Sequence, residues 1–351
     1  MALTTGVLLL PTYPPNQLVD LAQLAECTGY DYVWLADERF FREVYASLTL
    51  CALRTTRVRL GPCVTDPYSR HPALTAMALA TFDEISGQRA VLGLGAGVSG
   101  FRELGIARER PAVAMREAIA LINRLLAGER VSYEGQHIAF HEGRLDFTPI
   151  RSHVPIYVAS QRPMGLRLAG RMADGAIMQG CVAEPLLHFF RQMVAEGARQ
   201  RGREPSTIDL VARINVCVHE DRGAAQEAMK LGIVRSLISQ APDFFTFTQA
   251  GLTVPSALRE QVSALPYTHD SVPLRALTTE IPDEFVEALT LAGPPVEVAA
   301  GVTRLARDGI TQFIVAPVAP DGHVETTIER FQAEVMPRVR QELAAGVVGA
   351  A

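Results

Sequence analysis

The stretch Phe82-Asp83-Glu84-Ile85-Ser86-Gly87 is followed two residues later by the apolar run Ala90-Val91-Leu92-Gly93. The first segment has the pattern of a helix end with a glycine just beyond the last turn, where a left-handed residue is common. The second is typical of a strand buried on both faces of a parallel sheet. The same junction recurs at Gly29, Gly175 and Gly309. A helix-to-strand unit is therefore repeated along the chain.

Working outward from these junctions, apolar strands begin near residues 6, 32, 58, 90, 155, 175, 208 and 311, and most gaps hold a segment of helical period. The first units recur about every 26 residues. Eight alternating units predict an α/β chain folded as a (β/α)₈ TIM barrel, with a doubly wound open sheet as the alternative. We expect one domain over residues 1–351.

Two stretches interrupt this rhythm. Residues 130–153 have the pattern of a short hairpin inserted after the fourth helix. Residues 240–295 are richer in Pro, Thr and Ser and predict a mostly helical excursion between the seventh and eighth strands. Long insertions on the active-site side of a barrel commonly form lids or subunit contacts.

The composition excludes several classes of protein. The 351 residues are 48% hydrophobic and 20% charged, which excludes a disordered chain and a disulfide-stapled mini-protein. The net charge is −5 and no basic stripe occurs, which argues against nucleic acid and an anionic membrane surface as partners. No apolar run approaches the length of a membrane span, and the first residues lack a signal-peptide pattern. We therefore expect a cytoplasmic protein that acts on a small molecule.

Cysteine and histidine spacing gives no metal site. The five cysteines contain no CxxC pair, and the eight histidines show neither HxxxH nor HExxH spacing. We expect five reduced thiols and no bound metal.

In a barrel, functional residues lie where strands end and the following loops begin. Glycines stand at several of these ends: Gly61, Gly95, Gly97 and Gly180. Missing side chains at one rim would leave room for a flat, broad ligand. Tight turns alone are the alternative explanation.

Ser160-Gln161-Arg162-Pro163 joins the fifth strand to the fifth helix. Pro163 suits the first helical position, so the amides of the first turn, with Arg162 beside them, would cradle a phosphate. A simple cap with a solvated arginine is the alternative.

Asp37-Glu38-Arg39 ends the second strand with two carboxylates and a cation. One carboxylate could accept a bond from a ligand, and the alternative is a surface ion pair with a helix cap. Gly95 to Gly100 spells GxGxxG, but it follows the fourth strand and no helix begins before Pro111. A dinucleotide-binding Rossmann site is therefore disfavoured.

With these motifs the sequence resembles the luciferase-like family of flavin and deazaflavin oxidoreductases. Within it, the sequence is most similar to the branch dependent on coenzyme F420 that includes methylenetetrahydromethanopterin reductase. The resemblance is carried by Trp34 to Glu38, Val44-Tyr45, Leu60 to Pro72, Leu79 to Gly87, Leu92 to Gly97 and Pro155 to Met164.

The resemblance implies a TIM barrel, commonly dimeric, with the cofactor ring at the carboxyl ends of the strands. It implies a non-proline cis peptide bond at Cys63-Val64, a phosphate at Ser160 to Met164, and Asp37 near the ring. The cofactor-binding residues that it indicates are Asp37, Cys63, Val64, Thr65, Gly95, Ala96, Gly97, Ala159, Ser160, Gln161, Arg162, Met164, Gln179 and Gly180.

The chain also departs from the family pattern. Glu38 stands where F420 enzymes often have histidine, and Leu8 and Val98 stand where relatives have carboxylates that donate protons. Arg162 replaces a glycine of the phosphate loop, which would either strengthen phosphate binding or block the site. Cofactor binding is therefore better supported than any one reaction.

Three functions remain open. The first is an F420-dependent oxidoreductase that transfers a hydride between the deazaflavin ring and a small or medium organic substrate, with Glu38 for proton transfer and Asp37 orienting it. The second is an FMN-dependent monooxygenase that uses reduced flavin from a separate reductase and oxygen. The third is a flavin-binding protein without catalysis. Tyr13 and Arg213 are the predicted substrate contacts, and a structural arginine paired to a barrel carboxylate is the alternative for Arg213.

Overall fold

The computed structural model describes residues 3–348. The strands are β1 (Thr4–Leu9), β2 (Tyr32–Leu35), β3 (Arg59–Pro62), β4 (Leu92–Leu94), β5 (Val131–Glu134), β6 (Ala139–Gly143), β7 (Ile156–Ala159), β8 (Gly175–Gln179), β9 (Asp209–Val218), β10 (Thr290–Gly293) and β11 (Gln312–Pro317). The α-helices are α1 (Pro15–Thr28), α2 (Val44–Arg54), α3 (Pro72–Ser86), α4 (Pro111–Leu126), α5 (Pro163–Met172), α6 (Glu184–Arg199), α7 (Arg222–Gln240), α8 (Phe245–Gln249), α9 (Ser256–Ser263), α10 (Asp283–Leu289), α11 (Pro295–Arg307), α12 (Val324–Arg330) and α13 (Met336–Val348).

Eight parallel strands form the barrel in the order β3-β2-β1-β11-β9-β8-β7-β4. Bridges between Leu60 and Ala90 and between Thr65 and Leu94 join β3 to β4 and close the ring. All eight predicted strands are present, and α-helices cover their outer faces. The predicted TIM barrel is confirmed, and the alternative of an open doubly wound sheet is wrong.

Large aromatic side chains fill the barrel interior. The Trp34 ring stacks on Tyr32 at 5.8 Å between centroids and meets Tyr157 edge-on at 5.6 Å. Gly6 makes room for this cluster, because a Cβ there would lie 3.0 Å from the Trp34 ring nitrogen. The interior is therefore packed, and ligand space is confined to the mouth.

The helix-end glycines explain part of the repeat. Gly29 and Gly87 cap α1 and α3 in the left-handed conformation, as predicted. Gly175 does not, since α5 ends at Met172 and Gly175 is already the first residue of β8. A Cβ at Gly175 would lie 2.4 Å from the Tyr157 ring, so this glycine serves barrel packing.

Both predicted insertions are present. The hairpin β5–β6 follows α4 and is held by the buried Glu117 carboxylate, which accepts bonds from three successive amides of its turn. The second insertion holds α8, α9, α10 and a 3₁₀ helix over residues 275–280. It ends in β10, a strand that the sequence did not predict, which pairs in parallel with the carboxyl half of β9.

No helix in the described part of the chain has the length and apolar character needed to cross a membrane.

Candidate active site

The carboxyl ends of β7, β8 and β9 border a narrow cleft beneath the second insertion. Four residues that the sequence predicted for the site line it together, namely Gln161, Gln179, Gly180 and Arg213. Thr246 of α8 closes the cleft from the insertion side. Among the described residues no aspartate or glutamate lines it, so the cleft offers amides, hydroxyls and one cation to a ligand.

Arg213 is the cation of this cleft. It lies on β9 and shares the inward face with Val211. Within residues 3–348 its guanidinium forms no ion pair with a carboxylate, so the alternative of a structural barrel ion pair is not what the structure shows. Burial lowers the pKa of the guanidinium, and the neighbouring Cys63, Tyr267 and Glu38 oppose that shift.

The rim glycines differ in which atoms occupy the space where a side chain would lie. A Cβ at Gly61 would lie 2.0 Å from the Val91 carbonyl oxygen, and one at Gly95 would lie 2.6 Å from Val64. At Gly97 the Phe101 ring occupies the space. Only Gly180 of these four has no atom within 3.4 Å and lines the cleft. The predicted open rim is therefore wrong for the other three, which allow close packing instead.

The loop after β3 meets the loop after β4. The Cys63-Val64 peptide bond is cis, as the family resemblance implies. The carbonyl oxygen of Thr65 accepts a hydrogen bond from the Gly95 amide at 2.9 Å, and the Val64 side chain packs on that glycine. The Thr65 side chain is buried, and its hydroxyl lies beside the Asp37 carboxyl. Burial raises the pKa of the Cys63 thiol to about 12, so it stays protonated.

The first turn of α5 is uncapped. Arg162 is the N-cap residue, Pro163 is the first helical residue, and no side chain bonds to the free amides. The Ser160 hydroxyl oxygen accepts a hydrogen bond from the Arg162 amide at 3.1 Å, which fixes the loop just before the helix. A helix start with free amides at the edge of a cleft fits a phosphate group. The residues present therefore suit a phosphorylated cofactor.

Arg162 is tied to the insertion. Its Nη2 lies 2.7 Å from Asp243 Oδ1, and its guanidinium stacks over the Phe245 ring at 4.7 Å. Thr246 donates to Gln161 Oε1 at 3.1 Å beside this contact. The Arg162 side chain is 47% exposed, in keeping with the solvated arginine considered from sequence, and it also pairs with the insertion.

Asp37 lies half-buried beside Thr65. Burial raises the pKa of its carboxyl, and the Thr65 hydroxyl with the Arg39 and Arg70 guanidinium groups opposes that shift. Arg39 pairs with Asp66, and Glu43 caps α2. Glu43, which lies outside the Asp37-Glu38-Arg39 triplet, therefore supplies the helix cap that the sequence suggested for the triplet.

Glu38 has different partners from those predicted. Its Oε2 accepts the Ser99 hydroxyl and lies 3.3 Å from Nε2 of His269. Burial is the largest influence and would raise the pKa of this carboxyl, but the His269 and Ser99 contacts and the Arg39 charge together lower it. The expectation that Asp37 orients Glu38 is wrong, because Ser99 and His269 hold the carboxylate.

His269 and Tyr267 are site residues that sequence reasoning missed. The His269 ring stands edge-on to Phe41 at 5.2 Å and to Tyr267 at 5.4 Å. Burial raises the pKa of the Tyr267 phenol to about 12, with Glu38 acting in the same direction. The sequence shows only that Tyr267 and His269 are two ring-bearing residues in the polar insertion. It does not indicate which barrel strand they contact.

The remaining predicted residues are spread along the same rim. Ala96 follows Gly95, Ala159 ends β7, and Met164 stands exposed on the first turn of α5. Tyr13 is half-buried near Glu325, which lies on α12 and away from the cleft lining. The structure therefore does not bring Tyr13 together with Arg213. In the described chain no three His, Cys, Asp or Glu side chains are grouped as metal ligands.

Similar sequences point to one family. The sequence profile described as luciferase-like monooxygenase matches residues 2–312. A 5,10-methylenetetrahydromethanopterin reductase from Archaeoglobus fulgidus is 31% identical over 337 residues, covering 95% of this chain and 99% of the relative. An F420-dependent glucose-6-phosphate dehydrogenase from Kineococcus radiotolerans is 31% identical over 349 residues, covering 93% and 94%.

Solved structures agree. The coenzyme F420 dependent tetrahydromethanopterin reductase from Methanopyrus kandleri superimposes with a TM-score of 0.85 at 28% identity, covering 97% of this chain and all of the other. The monooxygenase RslO1 from Streptomyces bottropensis gives 0.70 at 22% identity over 95% and 99%, and supports the fold alone. The chain belongs to the luciferase-like monooxygenase family, as its sequence motifs predicted.

Proposed function

We propose that this chain is an F420-dependent oxidoreductase that transfers a hydride between the deazaflavin and a small or medium organic substrate. The observation that carries the proposal is the uncapped start of α5 at the edge of the polar cleft, next to the Cys63-Val64 bulge. Relatives named for F420 or methanopterin chemistry match nearly the whole chain at about 31% identity.

The chain's own residues would divide the work of holding F420. The amides of Met164 and Gly165 would bind its phosphate, and the bulge from Cys63 to Thr65 would lie against the ring. Asp37, whose carboxyl pKa burial raises, would lie near the ring and form a hydrogen bond with it. When bound, F420 supplies a carbon centre that gives or accepts a hydride.

Arg213 would meet the substrate. It is the cation of a cleft without carboxylates, so an anionic or strongly polar substrate group would complete its bonding. Tyr13 stays a weaker substrate proposal, since it lies near Glu325 rather than in the cleft.

Titration of the purified protein with F420 and with FMN, followed by fluorescence, tests this proposal. We expect micromolar or tighter binding of F420 and weak binding of FMN. The opposite preference would contradict the proposal and support an FMN monooxygenase served by a separate reductase. Tight F420 binding without turnover of any donor would support a cofactor-binding protein without catalysis.

We further propose a homodimer in the cytoplasm. The outer faces of α2 and α3 expose a row of large apolar side chains: Leu50, Leu53, Leu74, Met77 and Ile85. These two helices pack side by side, so the row forms one face, and such faces mark protein contacts. Light scattering after size-exclusion chromatography should give a dimer, and Leu53→Glu with Met77→Glu should give a monomer. The five unpaired cysteines fit a reducing compartment.

A further inference from the structure

The glycines of the GxGxxG segment after β4 make room for one side chain, that of Arg39. A Cβ at Gly100 would lie 2.4 Å from the Cβ of Arg39 and 2.6 Å from its Cγ. A Cβ at Gly97 would lie 3.3 Å from Nη2 of the same arginine. Gly97 and Gly100 are also left-handed, with φ of +66° and +72° respectively. The motif therefore wraps the loop after β4 around a side chain from the loop after β2.

The Arg39 guanidinium joins three loops of the mouth. It donates to the backbone carbonyl of Asp37 in its own loop and pairs with the carboxylate of Asp66 in the loop after β3. It also lies over the Phe101 ring in the loop after β4, at 5.1 Å from the ring centroid, and Arg108 lies over the same ring at 5.3 Å. The side chains of Arg39 and Asp66 are 8% and 0% exposed. Solvent therefore screens this ion pair little.

The Asp66 carboxylate is fixed by its own loop as well. Its Oδ1 accepts the amides of Tyr68 and Ser69 at 2.8 Å each, and its Oδ2 accepts the Ser69 hydroxyl at 2.7 Å. Removing Arg39 alone would leave this buried carboxylate without its counter-charge, which is strongly destabilising. Changing Arg39 and Asp66 together to uncharged residues of similar size is the milder substitution, and asparagine keeps an oxygen for the two amides.

Asp37 is the group that Arg39 holds at the ring site. Burial is the largest influence on the pKa of the Asp37 carboxyl and raises it, and the Arg39 charge is among the influences that lower it. The other charged or titratable groups around this carboxyl are Arg70 and Asp66 in the loop after β3, and Glu43 and Tyr45 at the start of α2. Arg39 therefore holds the Asp37 backbone and also supplies a positive charge near its carboxyl.

We propose that Arg39 is a positioning residue for the cofactor, which clamps the loops after β2, β3 and β4 together and so fixes Asp37 where the ring would lie. This role rests on the F420 function proposed above. Arg39 acts through Asp37 and through the loop after β4 rather than by contact with the ring. A site whose walls are held in place before the ligand arrives loses less conformational freedom on binding, so the clamp should raise F420 affinity.

The first test needs no cofactor. The loop after β4 carries a tryptic site at Arg102, whose side chain is 78% exposed. Limited trypsin digestion with peptide mass spectrometry gives the cleavage rate there. We expect cleavage to be about tenfold faster in the double variant Arg39→Met, Asp66→Asn, because the loop is no longer clamped. An unchanged rate at Arg102 would overturn the clamp.

The matched control is a second Arg–Asp pair, at the opposite end of the barrel. Arg151 pairs with the buried carboxylate of Asp83 and also donates to the Ala90 carbonyl, just before β4. The double variant Arg151→Met, Asp83→Asn also removes such a pair, but it does not touch the mouth. It should keep the wild-type cleavage rate at Arg102. Equal acceleration in both double variants would mean that general loss of stability opens the loop, and would contradict the clamp.

The second test is the fluorescence titration with F420. We expect the Kd to rise about tenfold in the Arg39→Met, Asp66→Asn variant and to change less than twofold in the Arg151→Met, Asp83→Asn control. Equal Kd values for the wild type and the first variant would overturn the role in binding. If the wild type does not bind F420, the proposed function itself fails, and the clamp is still judged by the digestion.

The third test separates positioning from a purely structural role. The pH dependence of the F420 Kd is measured in the wild type, in Arg39→Lys, and in Asp66→Asn with and without Arg39→Met. The limb that belongs to Asp37 is the one that Asp37→Asn removes. Because the Arg39 charge lowers the pKa of the Asp37 carboxyl, adding Arg39→Met should move the midpoint of this limb to higher pH. Arg39→Lys keeps the charge and should keep the wild-type midpoint.

Two results of this third test would overturn the action of Arg39 through Asp37. One is a midpoint that does not move when Arg39→Met is added. The other is a pH profile that Asp37→Asn leaves unaltered in a wild type that binds F420.

Discussion

Two histidine–carboxylate pairs lie at opposite ends of the barrel. At the mouth, His269 and Glu38 are 3.3 Å apart with side chains 16% and 17% exposed. At the amino-terminal end, His153 and Asp174 are 3.1 Å apart with side chains 51% and 39% exposed. Asp174 also accepts the Ile156 amide at 2.8 Å, so it fastens the start of β7 to the turn before β8.

The chemistry of the two pairs is the same, and their surroundings differ. The pair at the amino-terminal end is exposed to solvent, which screens its charges. It links the first residues of two neighbouring strands, so its role is structural. The mouth pair is largely buried and joins the loop after the second strand to the second insertion. In TIM barrels the chemistry lies at the carboxyl ends of the strands and the other end serves stability. The predictions below test that division.

The largest effect should come from Glu38→Gln. We expect kcat for F420 reduction to fall about 100-fold while the Kd for F420 changes by no more than about threefold. The physical reason is that the amide keeps the shape of Glu38 but removes the negative charge that faces Nε2 of His269. Steady-state kinetics and the fluorescence titration measure the two quantities. A parallel loss of both would make Glu38 a structural contact.

The counterpart at the other end is Asp174→Ala. This change removes the acceptor of the Ile156 amide and the partner of His153, and should lower the free energy of unfolding by about 1–2 kcal/mol, a range that allows for solvent screening. F420 affinity should not change. Urea unfolding and the F420 titration check this, and weakened F420 binding by the folded variant would break the division between the two ends.

A smaller effect concerns pH. The Asp174 contact raises the pKa of His153 above its ordinary 6.5, and the His153 contact, which opposes the larger effect of burial, lowers that of Asp174 below 3.8. The contribution of His153 to the free energy of unfolding is therefore complete below pH 6.5 and is lost as the pH rises. The contribution of Asp174 is complete above pH 3.8 and is lost as the pH falls. The wild type should lose under about 1 kcal/mol of stability relative to His153→Gln between pH 6 and 8. Identical curves would contradict this.

The smallest effect should come from Asp243→Asn. This exposed carboxylate pairs with Arg162, the N-cap residue of α5, and so competes with a phosphate for its guanidinium. Its loss should tighten F420 binding about twofold to threefold, as expected for a solvent-screened ion pair. Arg162→Ala is the matched control and should abolish the gain when combined with Asp243→Asn. If Asp243→Asn weakens binding, the ion pair instead helps to build the site.

The strands and the start of α5 could be predicted because their signals are local. Apolar runs after helix-end glycines mark each strand, and Pro163 marks the start of α5. The cis bond at Cys63-Val64 followed from the family motif. β10 was missed because it has four residues inside a long helical insertion, too short to give a periodic pattern.

The partners of Glu38 could not be predicted because they depend on how the insertion folds back. Nothing near Glu38 in sequence indicates that His269 reaches it, and the spacing of histidines along the chain carries no such information. The same limit applies to the rim glycines. Sequence shows that Gly61 has no side chain, but only the fold shows that the Val91 carbonyl fills that space.

Hydrogen–deuterium exchange of the protein with and without F420 tests the central claim most directly. We predict slower exchange on F420 binding in residues 61–66, 159–165 and 265–270 at the mouth, with no change in residues 151–155 and 172–175 at the opposite end. Protection confined to the opposite end, or no protection at the mouth at saturating F420, would contradict the account.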